Sequence, residues 1–267
     1  MNLLMAYDSP IGNAGIRAGE TVGWTANEHG DVAVYTRMHG TGVTSSNDDA
    51  ICINDASGTR ILAREGSVIP GTNIVFGAIS NDPVVQPAIN SNGTIAFGTP
   101  QGIVVGRENA FRRAVSLGDP AAGTDEVFTA LYDFALDRAG DVVFEGATPS
   151  ITHGLWAALP DGSIVSLIKN GDTLDIGNGN LRTVRAFALS TTSSETGELT
   201  NVGGDGLVSF DVTFTTTLRA VYMVQLPEPA SATSLVIIAI GYVVPRRRVR
   251  LIAPTASVRH ASTTGLC

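Results

Sequence analysis

Apolar and polar residues alternate in short stretches along most of the chain, and the stretches share one opening. Asn90-Ser-Asn-Gly93 leads into Thr-Ile-Ala-Phe97. Asn27-Glu-His-Gly30 leads into Asp-Val-Ala-Val34, Asp137-Arg-Ala-Gly140 into Asp-Val-Val-Phe144, and, more loosely, Gly203-Gly-Asp-Gly206 into Leu-Val-Ser-Phe210. Asn, Asp and Gly tolerate the left-handed backbone of a tight turn. The residues that follow place every second side chain on one face, which is the period of a half-buried strand. The pattern predicts a turn and a strand at four places.

Other elements recur in step with these. Asp8-Ser-Pro-Ile-Gly12, Ser67-Val-Ile-Pro-Gly71, Asp119-Pro-Ala-Ala-Gly123 and a degenerate Asp172-Thr-Leu-Asp-Ile-Gly177 precede the four turns. After them come Ala50-Ile-Cys-Ile53, Gly102-Ile-Val-Val105, Gly154-Leu-Trp-Ala157 and Ala220-Val-Tyr-Met223. A further strand follows in three cases: Thr59 to Ala63, Phe111 to Val115 and Ser163 to Ile168. The repeat of roughly 50 to 60 residues lies in the range of propeller blades and related arrays. The expectation is an all-β, propeller-like array of about four four-stranded units over residues 1–225, in which Leu3-Leu4-Met5-Ala6 supply the strand that the fourth unit lacks.

Composition agrees with strands and turns. The chain of 267 residues carries 30 Gly and only 16% charged residues, and it is long enough for a sizeable core. A net charge of −8 argues against a nucleic-acid partner. Two cysteines, Cys52 and Cys267, form neither a metal-binding spacing nor a disulfide framework. Met1 to Asp8 has no basic region and too short an apolar stretch for a signal peptide; a late start of the reading frame would account for that.

Catalytic signatures are missing from the sequence. It has no Gly-x-Ser-x-Gly elbow, phosphate-binding loop or His-Glu-x-x-His. His29, His39, His153 and His260 are scattered, and His29 and His153 read as exposed turn residues. Asp172, Asp175, Asn178 and Asn180 could supply oxygens to Ca²⁺, but their spacing fits no EF-hand and turn chemistry explains them better. Whether any metal binds stays open, and no motif calls for a cofactor. Trp24, Tyr35, Phe97, Phe144, Phe210 and Trp156 fall mostly at core-facing positions, with Trp156 expected nearest a rim.

The end of the chain changes character. Pro227-Glu228-Pro229 breaks the last strand, residues 230–244 carry no charge, and Arg246, Arg247 and Arg248 follow, with Arg250 close behind. The uncharged run is shorter than the roughly 17 to 25 residues of an ordinary membrane span, so read alone it fits a buried strand or core helix as well. A cationic block beside an apolar run resists transfer across a bilayer. This order resembles the PEP-CTERM sorting signal of Gram-negative envelope proteins, and the repeats resemble the Asn-x-x-Gly-x-x-Ala-Phe repeats of proteins that bear it. The resemblance implies that an exosortase-type enzyme processes the chain near Pro227, Glu228 and Pro229. It also implies a hydrophobic helix that holds the chain transiently at the membrane. Residues 226–250 are thus the expected sorting and anchor segment and 251–267 a disordered tail, longer than the family's signal normally has.

The expected function is a non-enzymatic protein of the cell envelope or extracellular matrix, with exopolysaccharide as a candidate partner. The alternatives are a propeller-type carbohydrate-active lyase or hydrolase, and a soluble module binding glycan or protein.

Overall fold

A computed structural model describes residues 7–12, 15–78, 86–189, 206–216 and 218–226. Among these, the regular structure is all β. Sheet one contains β1 (Ile16–Ala26), β2 (Val32–Gly40), β3 (Asp49–Asp55) and β4 (Gly58–Arg64). Sheet two contains β5 (Ala88–Ile89), β6 (Ile95–Thr99), β7 (Gly102–Arg107) and β8 (Ala110–Ser116). Sheet three contains β9 (Ala130–Leu136), β10 (Val142–Ala147), β11 (Gly154–Ala158) and β12 (Ile164–Lys169). Sheet four contains β13 (Thr173–Asp175), β14 (Leu181–Ala188), β15 (Leu207–Phe214) and β16 (Arg219–Gln225). Each is an antiparallel meander in chain order. The first strands of successive sheets touch, β1 and β2 against β5, and β5 against β9.

The third strands explain why the repeat holds a continuous apolar run at that point. Ile51, Cys52 and Ile53, Ile103, Val104 and Val105, and Leu155, Trp156 and Ala157 are all buried. Each run lies between two neighbouring strands and is covered on both faces. Its pairing with the fourth strand slips at the same place each time: between Ile51 and Cys52, Ile103 and Val104, and Leu155 and Trp156. A bulge at this point bends the outer strand. By contrast, β15 alternates strictly, burying Val208, Phe210, Val212 and Phe214 and leaving Ser209, Asp211 and Thr213 half-exposed on the other face.

The Asp/Ser-x-x-x-Gly elements fold as small hairpin arms with one hydrogen-bond pattern. Gly66 N donates to Phe76 O (2.8 Å) and Phe76 N to Ser67 O (2.9 Å). Gly118 and Phe128, and Gly171 and Val184, repeat it, and in the first arm Asp8 and Ala18 do the same. Each of the first three arms inserts a buried residue, Ile11, Ile69 or Ala121. The second arm docks on the fourth strand of its own unit through Phe111 N to Pro70 O at 3.0 Å. Gly71 sits there at φ +84°, and a Cβ would lie 2.6 Å from Phe111 O, so backbone freedom and close approach both require glycine. In the fourth unit the arm itself, lengthened, is β13. A counterpart of β4, β8 and β12 is not found among the described residues, and Leu3 to Ala6 lie outside them.

Three clusters fill the spaces between sheets. Tyr35, Phe76, Phe97 and Phe111 join sheets one and two. Phe128, Phe144 and Trp156 join sheets two and three, with Phe128 and Trp156 edge to face at 5.0 Å. Leu155, Phe210, Phe214 and Tyr222 join sheets three and four.

Two tryptophan expectations need correction. Trp156 is not at a rim. It is fully buried, its Nε1 donates to Ala122 O at 3.0 Å, and its ring fills the space left by the missing side chain of Gly154. Trp24, counted with the core, is 61% exposed. Register shifts between Ala18 and Thr21 and between Thr21 and Gly23 break the alternation of β1 just before it.

Candidate functional site

The Asn/Asp-x-x-Gly turns lie at one end of the sheets, where β1, β5 and β9 turn back into β2, β6 and β10. Asn27, Asn90 and Asp137 are all buried. Each closes its own turn. Asn90 Oδ1 accepts from Asn92 N (3.0 Å) and Thr94 N (2.9 Å), Asn27 Oδ1 from His29 N and Asp31 N, and Asp137 Oδ1 from Gly140 N and Asp141 N.

The amide nitrogens reach further. Asn27 Nδ2 donates to Asn90 O at 3.1 Å, and Asn90 Nδ2 donates to Asp137 O at 2.6 Å and Arg138 O at 3.2 Å. A polar ladder therefore runs from sheet one through sheet two to sheet three, satisfying buried main-chain carbonyls along the way. Around it, Arg138 contacts Ser91 and Glu28, and Arg112 Nη2 donates to Gly140 O.

Beside this ladder a cavity of about 590 Å³ opens between sheets one and two. Asp31, Asp55, Arg60, Asn92, Arg107 and Glu108 line it together with Ile53, Leu62 and Ile95. Arg60 pairs with Asp55 at 2.6 Å and reaches Glu108 at 3.8 Å, while Arg107 Nε donates to Thr94 Oγ1 at 2.9 Å. Glu108 holds φ +46°, a conformation a side chain adopts at a cost. The lining offers donors and acceptors of both charges over apolar surface, a chemistry suited to a hydroxyl-rich solute.

The opposite end carries a second grouping. The Tyr132 and His153 rings stack at 5.3 Å, and His153 Nδ1 meets Glu145 Oε1 at 2.5 Å. A carboxylate at Nδ1 orients an imidazole and leaves Nε2 for exchange with a ligand or proton. Tyr132 also borders a cleft of about 200 Å³ with Thr99, Leu117 and Thr129. Sheet one has a looser counterpart: Tyr7 stacks on His39 at 5.3 Å, and His39 Nε2 lies 3.6 Å from Asp8 Oδ1. Sequence reading took these histidines singly. Glu145 and His153 meet across the β10–β11 hairpin, and only the strand register shows it.

Of the suggested calcium ligands, Asp172 and Asp175 are engaged by their own loop. Asp175 accepts from Gly177 N and Gly179 N, and Asp172 accepts from Lys169 N. Among the described residues, no three His, Cys, Asp or Glu side chains are placed to hold a metal ion. Cys52 is free and buried, and burial pushes its thiol up to about 12. Pro227, Glu228, Pro229, the run 230–244 and Arg246, Arg247 and Arg248 lie outside the described residues. Among the described residues no helix is long and apolar enough to cross a membrane.

One family model, described as a family of unknown function (DUF7453), matches the chain twice, over residues 7–110 and 100–233. The two matches overlap at residues 100–110 and together span residues 7–233. Comparison with curated proteins and with solved structures gave no match.

Proposed function

Since the chain belongs to this family of unknown function, we propose its role from its own residues: a non-enzymatic β-repeat scaffold, exported and retained at the cell envelope or in the extracellular matrix. One observation carries the reading. The Pro-Glu-Pro, uncharged and arginine segments follow in that order directly behind the last described strand. β16 ends at Gln225, Leu226 N is still tied to Gly206 O at 2.9 Å, and Pro227 comes next. A signal read by a processing enzyme has to lie outside the folded body. An exosortase-type enzyme is the partner the order calls for, with residues 230–244 at the membrane and Arg246, Arg247 and Arg248 holding the cytoplasmic side. In this reading the four units stand around an axis as a propeller, with β1, β5 and β9 innermost. The contacts from β1 to β5 to β9 support that arrangement.

The test is fractionation of cells making the full gene product, with and without residues 227–250. Loss of envelope retention on deletion is expected. An unchanged distribution removes the sorting reading.

A second reading, glycan binding or turnover, is favoured by the oriented His153 with Glu145 and Tyr132. Screening glycans against the wild type and His153→Ala tests it; binding or cleavage that this substitution abolishes would establish it.

A further inference from the structure

The third turn differs from its sisters in one chemical respect. In the first, position 27 is an amide whose Nδ2 donates to the Asp31 carboxylate at 3.1 Å. In the second, Asn90 is followed at the same spacing by Thr94, a neutral residue. In the third, both positions are carboxyls, Asp137 and Asp141. The two residues are buried, at the positions where the side chains of Asn27 and Asp31 meet in the first turn. Asp137 Oδ2 and Asp141 Oδ1 have no hydrogen-bond partner. Two carboxylates cannot bond without a proton between them, and ionising both in a dry site is costly.

We propose that Asp141 keeps its proton and donates it to Asp137, making the joint between sheets two and three a proton-dependent lock. The geometry gives this bond its reach. The Asp137 turn supplies the carbonyls of Asp137 and Arg138 that accept from Asn90, and Gly140 O that accepts from Arg112. Loss of the proton sets two like charges inside the turn on which sheet two is moored.

The charged groups around the pair are few. Arg112 of β8 favours the ionised form of Asp141, and Asp161 from the β11–β12 turn opposes it. Arg138, within the turn, is engaged by Ser91 and Glu28. Burial, and then the Asp137 charge, push Asp141 up to about 8, and burial raises Asp137 as well. The sign follows from linkage. A carboxyl raised in the folded state binds its proton more tightly there than in the unfolded chain. Its contribution is complete below the ordinary aspartate value of 3.8 and is lost as pH rises through about 8.

Two measurements test the lock. The first is the unfolding equilibrium between pH 4 and 9 for the wild type, Asp141→Asn and Asp137→Asn. Either amide replaces the shared proton with a permanent N–H donor, and Asp137→Asn copies the first turn. The wild-type unfolding constant should rise with pH by up to about tenfold per unit more than that of either variant, the limit for one linked proton. Glu65, also raised by burial, tilts all three curves equally and cancels in the comparison. The second is difference infrared spectroscopy of the folded wild type at pH 6, which should show one buried protonated carboxyl that disappears in Asp141→Asn. Parallel pH curves in all folded proteins, or no protonated carboxyl in the wild type, would overturn the proposal. The spectroscopic result stands even if a variant fails to fold.

Discussion

The side-chain amide of Asn90 donates to the main-chain carbonyl of Asp137 at 2.6 Å, so a turn residue of the second sheet holds the turn of the third. The same side chain closes its own turn through Oδ1. One residue thus performs a local and a long-range task, and the two can be separated by substitution.

Asn90→Ala removes both, leaving buried carbonyls and amides without partners. Unfolding by denaturant should show a loss of about 3 kcal/mol. Asn90→Asp keeps the acceptor for Asn92 N and Thr94 N but loses the donor to Asp137, so its loss in the neutral range should equal or exceed that of Asn90→Ala, because it also buries a charge. A loss under about 0.5 kcal/mol for Asn90→Ala would mean that the ladder is not structural.

The arms predict a contrast between two glycines. Gly71 and Gly162 both hold left-handed backbones, at φ +84° and +88°, but a Cβ at Gly162 meets nothing within 4 Å. Gly162→Ala should cost about 1 kcal/mol of backbone strain. Gly71→Ala adds overlap with the Phe111 backbone and should cost about 3 kcal/mol. Equal losses, measured by denaturant titration, would refute the docking of the arm on β8.

The two tryptophans should separate optically. Iodide should quench the exposed Trp24 and spare the buried Trp156, so Trp24→Phe removes the quenchable emission while Trp156→Phe leaves it. Trp156→Ala should destabilise the protein by about 3 to 5 kcal/mol, since it empties the centre of the cluster between sheets two and three.

Cys52, buried in β3 with its thiol raised to about 12, should resist thiol reagents at neutral pH until the protein unfolds. Measured in a Cys267→Ser background, its labelling rate should follow the unfolding equilibrium as denaturant is added. Rapid labelling of the folded protein would contradict the burial of β3.

Several of these features were legible in the chain. Asn27, Asn90 and Asp137 with their glycines announced turns, and the residues after them announced strands, because both depend on neighbours along the sequence. The bulges opposite Cys52, Val104 and Trp156 were not legible, since a register slip belongs to two strands at once. Trp24 was misplaced for the same reason, since alternation fails downstream of the bulges in β1, and Trp156 because its place at the start of a strand did not show that β11 is covered on both faces. Glu145 and His153 looked unrelated until the β10–β11 register brought them together.

What the sequence determined by itself was the periodic all-β plan, through local turn chemistry and the two-residue period of strands. Which face each sheet buries, which amide crosses to which carbonyl, and how deeply Asp137 and Asp141 are buried were decided by tertiary structure alone. These depend on packing between units some 50 residues apart, and a side chain's hydrogen-bonding capacity does not say whose carbonyl will stand within 3 Å of it.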